Sequence, residues 1–353
     1  LAMVGVGFGG GVLASDDISF WPFPPIHNRP KMGPSDAQPP CKTMLNTHPA
    51  TPSHPSVTVP AAGASPGYLP FKADVRRPGR ALPAGACDCH FHIFEPTAQG
   101  GPAHPFAEPR SYTPSAAGLQ AYRSMADALG LQRAVLVHPS VYGRDHSSFV
   151  HWLSLCQGRM RGVAVVHPDT PLSDIEHWHA LGARGTRCNA LFDGGVDAEE
   201  LPRIVERVRD LGWHLQVLMD VDRDPGQVLR MADLGVPLVV DHCGHVPATQ
   251  AMSSRGFHNL LSLLREGRAW VKLSGLYRLT PQRSGFHDTR PMVEALLHAN
   301  PAQLVWGSDW PHPAIAPPMV DDGHLVQALL DVCSTAELQQ VLVDNATRLY
   351  WSD

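Results

Sequence analysis

Several features are scarce or missing in this 353-residue chain, and each narrows its function. Charge is sparse: Asp, Glu, Lys and Arg make up 17% of the residues, and 28 basic against 33 acidic side chains leave a formal charge of −5. Such a surface is a poor partner for a polyanion, which argues against nucleic acid as the target. No apolar run approaches the roughly 18 residues that a membrane span requires. The cysteines are not paired in any motif. Cys41, Cys87, Cys89, Cys156, Cys188, Cys243 and Cys333 are odd in number and scattered, with no C-x-x-C. That pattern reads as reduced thiols in a cytoplasmic protein. No glycine-rich phosphate loop and no Gly-x-Ser-x-Gly elbow is present, which weakens dinucleotide, kinase and serine-hydrolase readings.

Proline and histidine are abundant. The prolines crowd the first 83 residues, as in Trp21-Pro22-Phe23-Pro24-Pro25. A segment of that composition cannot bury enough apolar surface to offset chain entropy, so 1–83 is expected to be a disordered extension and 84–353 the folded domain. Leu1 to Ala14 resembles the apolar core of an export signal but lacks a basic leader, and a cytoplasmic location is preferred. From Ala84 onward short apolar runs alternate with amphipathic segments. Eight runs read as strands: 86–94, 134–139, 162–167, 185–191, 214–220, 237–242, 269–275 and 303–309. Segments such as 121–129, 197–211, 256–264 and 290–299 repeat apolar residues at three- and four-residue spacing and read as helices. Eight strand–helix units in about 270 residues predict an α/β fold, a (β/α)8 TIM barrel, in preference to a doubly wound sheet.

The 20 histidines acquire meaning from where they fall. In a barrel the reacting groups sit at the carboxyl ends of the strands. The first run carries Asp88, His90 and His92, which a period of two places on one face. The fourth ends in Arg187 and Asn189, and the sixth in Asp241 and His242. The seventh leads to Ser274, Tyr277 and Arg278, and the eighth to Ser308, Asp309, Trp310 and His312. Two imidazoles two residues apart can converge on one atom, and histidine serves both as metal ligand and as acid or base near neutral pH. By the same alternation Cys89 and Cys243 are expected to pack against the helices. Trp310 is a candidate pocket wall.

The set Asp88-Cys-His90-Phe-His92, Asp241-His242 and Trp306-Gly-Ser-Asp309-Trp-Pro-His312 resembles the amidohydrolase superfamily in its amidohydrolase-2 branch. Within it the chain is similar to the group of 2-pyrone-4,6-dicarboxylate lactonases, sugar-acid lactonases and a galactarolactone isomerase. Supporting signatures are Arg110-Ser-Tyr112-Thr-Pro114, His138-Pro-Ser140-Val-Tyr142-Gly143, Gly185-Thr-Arg187-Cys-Asn189 and Val343-Asp344-Asn345-Ala-Thr-Arg348-Leu-Tyr350. The resemblance implies a hydrolase that opens a lactone of sugar-acid or pyrone-carboxylate type. It casts Asp309 as the general base, with His90, His92 and His242 around the carbonyl oxygen. Arg187 and Arg278 correspond to carboxylate-gripping arginines, and Tyr112, Ser140, Asn189 and Tyr277 to polar contacts of a small-molecule substrate. It also implies work without a metal. The alternative is one zinc on His90, His92, His242 and Asp309, because the binuclear set is absent: the fifth strand has His214 at its opening end and none at its mouth. Asp193 stands where the pyrone lactonase has a second arginine, which favours a monocarboxylate or hydroxyl-rich lactone over a dicarboxylate. The competing readings are a metal-dependent decarboxylase, a lactone isomerase and a barrel that only binds a sugar acid. The sequence carries no signal for oligomeric state.

Overall fold

All eight apolar runs become strands. In the computed structural model, which describes residues 68–96, 103–156, 158–191 and 198–352, they are β1 (Cys87–Phe91), β2 (Arg133–Val137), β3 (Met160–Ala164), β4 (Ala183–Asn189), β5 (His214–Leu218), β6 (Leu238–Val240), β7 (Ala269–Leu273) and β8 (Leu304–Trp306). They pair in parallel, in chain order, as one eight-stranded sheet. Several are shorter than the apolar runs because the polar residues at their ends leave the ladder. The seam between β1 and the chain after β8 is closed by two backbone bonds. Asp309 N donates to His90 O and His92 N to Trp310 O, each at 2.8 Å. Gly307 is required at this seam, since a Cβ there would lie 2.6 Å from the Cβ of His90.

The helices are α1 (Leu119–Leu129), α2 (Ser147–Leu155), α3 (Leu172–Leu181), α4 (Leu201–Val208), α5 (Gln227–Ala232), α6 (Arg255–Arg265), α7 (Leu276–Leu279), α8 (Arg290–Ala299), α9 (Asp322–Val332), α10 (Thr335–Gln339) and α11 (Asn345–Tyr350). α6 shows how the sequence builds them. Ser254 caps its first turn by accepting from Phe257 N, and Phe257, Leu260, Leu261 and Leu264 form its buried stripe. Such stripes cover the outer face of the sheet and make one large apolar core with the outward residues of the strands, for example Leu136, Leu215, Val240 and Leu273. The alternate strand residues Val135, Val137, Val163, Val239 and Val305 form a second, smaller cluster inside the barrel, closed by Tyr350 of α11. His214 lies buried at this lower end, its ring 5.2 Å from that of Tyr350.

Two expectations from strict alternation fail at β1, where the register shifts between Asp88 and Phe91. Cys89 joins the inner cluster with Cys87 rather than facing the helices. Asp88 leaves the face shared by His90 and His92. Its carboxylate accepts from Ser308 N (2.9 Å), Ser308 Oγ (2.5 Å) and Tyr122 OH (3.1 Å). The extra residue of an irregular strand lets neighbours point the same way. Cys243 does pack in the outer core, as alternation implied.

The segment 1–67 lies outside the described residues. The chain from Tyr68 to Pro83 is described and lies on α9: Lys72 pairs with Asp321 at 2.8 Å, Gly79 N donates to Gln327, and Arg80 donates to the carbonyls of Leu330 and Cys333. Tyr68, Phe71, Val75 and Leu82 are its apolar anchors. Among the described residues the six cysteines are free, and no helix is long and apolar enough to cross a membrane.

Burial holds His214 down at about 3 and His146 at about 4, so both stay neutral in the folded chain far below the ordinary value of 6.5. A group depressed in this way stabilises the fold above its unfolded pKa and loses that contribution as pH falls. Denaturant unfolding should therefore show falling stability from pH 7 to pH 5, with about 2 kcal/mol assignable to each such histidine. His214→Leu should shrink that difference. An unchanged pH dependence in the variant would contradict the assignment.

Candidate active site

The ends of β1, β6 and the segment after β8 bring three imidazoles to one carboxylate. His90 Nε2 and His92 Nε2 each lie 3.7 Å from Asp309 Oδ1, and His242 Nε2 lies 3.7 Å from Asp309 Oδ2. All four residues are buried. Asp309 and His242 adopt left-handed backbone, φ 62° and 49°, which aims their side chains inward from the strand ends. Such a conformation is costly for a residue with a Cβ and persists where its surroundings dictate it.

Each imidazole is fixed by its other nitrogen. His92 Nδ1 donates to Val137 O at 2.8 Å, His242 Nδ1 meets Ser274 Oγ at 2.8 Å, and His90 Nδ1 faces Asp241 Oδ1 at 3.3 Å. Nδ1 of His92 faces a carbonyl, which only accepts, and His90 Nδ1 has the Asp241 carboxylate as its nearer neighbour, 3.3 Å against 3.4 Å to Lys272 Nζ, so both carry the proton. Their Nε2 lone pairs then face a carboxylate oxygen, and His90 Nε2 is a buried atom without a hydrogen-bond partner. Acceptors turned toward one another out of water call for a positive centre.

That donor chemistry fits a single divalent cation. The mutually close donors are His90, His242 and Asp309, all buried, with ligand atoms within 4.8 Å of one another. His92, expected as a fourth ligand, does not fall within that compact set. Three protein ligands with an open position is the arrangement of a catalytic rather than a structural zinc.

The rest of the pocket wall comprises Tyr112, Ser140, Arg187, Asn189, Leu218, His245, Arg278, Pro313 and Ala314, together with His92, His242 and Asp309. Tyr112, Ser140, Arg187, Asn189 and Arg278 thus lie in the pocket wall. Asn189 also caps the turn after β4, its side-chain oxygen accepting from Leu191 N. Tyr277 lies behind the wall: its OH donates to Asp309 Oδ2 at 2.6 Å. Arg278 engages the same oxygen through Nε at 2.7 Å and Pro313 O through a terminal nitrogen. Burial works to raise the pKa of Asp309, but Arg278 and the histidines outweigh it and hold the carboxyl well below its ordinary value. Burial pushes His92 and His242 well below 6.5, so both are neutral at pH 7.

Other singled-out residues fall elsewhere. His312 pairs with buried Asp322 at 3.0 Å, supporting the loop after β8. Trp310 packs on Phe71 and Tyr122, outside the pocket. His138 stacks on His146 with ring centres 3.9 Å apart. Asp193 lies outside the described residues. The sequence reading missed His245, Gln216 and Lys272. The last two interrupt apolar strands, the same signal that exposed the histidines, but at mid-strand rather than at the ends. A larger cavity of 300 Å³ lies between α8 and α9, lined by Leu273, Phe286, Val293, Trp306 and Leu329 among others, and holds none of the histidines around Asp309.

The amidohydrolase family profile matches residues 87–351. The chain belongs to the amidohydrolase family. It is 34% identical over 302 residues to a 2-pyrone-4,6-dicarboxylate hydrolase of Comamonas testosteroni, covering 82% of this chain and 97% of that protein. It is 31% identical over 275 residues to a 4-sulfomuconolactone hydrolase of Hydrogenophaga intermedia, covering 76% and 89%. Among solved structures, a candidate 2-pyrone-4,6-dicarboxylic acid hydrolase of Pseudomonas putida superposes with a TM-score of 0.66 at 31% identity, covering 76% of this chain and 98% of that one.

Zinc titrated into chelator-treated protein is expected to bind at one site per chain. His242→Ala should weaken that binding at least about tenfold. Calorimetry showing no binding to the unmodified protein would contradict the fit.

Proposed function

We propose that the protein hydrolyses a lactone that carries a carboxylate. The observation that carries this reading is the convergence of three imidazoles on Asp309 in a pocket whose wall includes Arg187. Two relatives named as lactone hydrolases support it.

Water must be activated, the ring carbonyl polarised and the anionic group held. Asp309 is the base that takes the proton of the attacking water and returns it to the alkoxide leaving oxygen. The bonds from Tyr277 and Arg278 occupy Oδ2, which leaves Oδ1, facing His90 and His92, for that proton. A low carboxyl pKa keeps Asp309 ionised and ready across the neutral range. His90, His92 and His242 surround this carboxylate at 3.7 Å, and the Nε2 lone pairs of His90 and His92 are placed to hold a cation there rather than to donate to the carbonyl oxygen. A divalent cation on His90, His242 and Asp309 would supply Lewis-acid polarisation of that oxygen. Arg187 is the carboxylate grip, because it lines the pocket and its guanidinium fork matches a carboxylate.

Charge favours an anionic substrate. The buried carboxylates Asp241 and Asp309 stand against Lys272, Arg187 and Arg278, which leaves one positive charge in excess when the histidines are neutral. The mouth of β5 offers Leu218 in place of a histidine, which argues against a fuller metal set and the decarboxylase reading.

Asp309→Asn should lower kcat by about 10²- to 10⁴-fold on a hydrolysed lactone. Arg187→Met should act mainly on KM, raising it about 10- to 100-fold for a carboxylate-bearing lactone and little for a neutral one. A pH-indicator assay over pyrone carboxylates and aldonolactones measures both. Full activity in Asp309→Asn, or equal loss on charged and neutral lactones in Arg187→Met, would overturn these roles.

A further inference from the structure

Beneath the imidazoles, Lys272 of β7 and Gln216 of β5 are fully buried, above an inner cluster that is largely apolar. An ammonium out of water is destabilising unless it is closely paired, and a methionine would fill similar space at no such penalty. The pairing is specific. Lys272 Nζ donates to Gln216 Oε1 at 2.6 Å and to Cys89 O at 2.8 Å, and its remaining hydrogen faces Asp241 Oδ1 (3.6 Å), the acceptor it shares with His90 Nδ1. Gln216 Nε2 in turn donates to Asp241 Oδ2 at 2.9 Å.

The direction of this chain is set by chemistry. An ammonium can only donate, so the amide oxygen of Gln216 must face it and the amide nitrogen must face Asp241. Asp241 Oδ2 is thereby occupied, and Oδ1 is presented to His90 Nδ1 at 3.3 Å. His90 then has its proton on Nδ1 and its lone pair toward Asp309. Neither Lys272 nor Gln216 is exposed or lines the pocket.

We propose that Lys272 and Gln216 are positioning residues for the reaction: through Asp241 they lock the orientation and tautomer of His90, and so the direction in which its Nε2 lone pair faces Asp309. The catalytic part of this inference rests on the lactonase reading; the part about His90 does not. Misplacement of a reacting group by about 1 Å can cost about 10²-fold in rate.

Lys272→Met is expected to lower kcat about 10- to 100-fold while KM stays within about threefold. Imidazole nitrogen NMR, with the His90 signals assigned by their loss in His90→Gln, should show the hydrogen-bonded Nδ1–H in the unmodified protein and its loss in Lys272→Met. Combining Lys272→Met with Asp241→Asn should add little to the damage of Asp241→Asn alone, because the residues act in one chain. Unchanged kcat with an unchanged His90 signal, or losses that simply multiply in the double variant, would overturn the proposal. If Lys272→Met does not fold, Gln216→Met breaks the same chain without removing a charge. It should show the same kcat loss and NMR change, and behaviour like the unmodified protein overturns the proposal. Failure of the unmodified protein to open any lactone would overturn the lactonase reading, while the His90 signal in the variants still decides the positioning role.

Discussion

The site depends on the seam where β1 meets the chain after β8. Two backbone bonds across it, from Asp309 N to His90 O and from His92 N to Trp310 O, bring residues more than two hundred positions apart into one cluster. The Asp88 carboxylate, bonded to Ser308 and Tyr122, staples the same edge from the outer side, and burial raises its pKa to about 6 against the opposing pull of those bonds. Gly307 allows the close approach, and the left-handed backbone at Asp309 turns its carboxylate inward. Closing the barrel and assembling the reacting groups are therefore one structural event.

A second constraint is electrostatic. Ionised groups are rarely buried unless paired, and here two carboxylates and three cations occupy the upper barrel. Asp309 is balanced by Arg278, and Asp241 by Lys272 with Arg187 at 3.8 Å. The imidazoles stay neutral between them. This division gives the carboxylates different tasks. Asp241 has His90 and Gln216 around it and orients, whereas Asp309 keeps one oxygen toward the histidines and can exchange a proton.

Much of this was legible in the sequence because its signals are local. Strands, the barrel count and the polar interruptions at strand ends follow from periodicity, and His90, His92, His242 and Asp309 stood out as such interruptions. What alternation could not foresee was the register shift of β1 against β2, which sends Asp88 outward and Cys89 inward. The partners of Arg278 and Tyr277 were equally hidden, since both engage Asp309 only once the segment after β8 folds back over the mouth. Lys272 and Gln216 were readable as polar residues in apolar strands, yet their mid-strand position suggested no mouth chemistry. Likewise, the order at Tyr68 to Pro83 depends on contacts with α9, more than two hundred residues away.

Hydrolysis requires that water become part of the product. The most direct test is to turn over a lactone in ¹⁸O-enriched water and analyse the product by mass spectrometry. The account predicts one ¹⁸O atom in the newly formed carboxylate of a ring-opened acid, with none incorporated in Asp309→Asn over the same period. An isomeric lactone without label, or release of carbon dioxide, would contradict it.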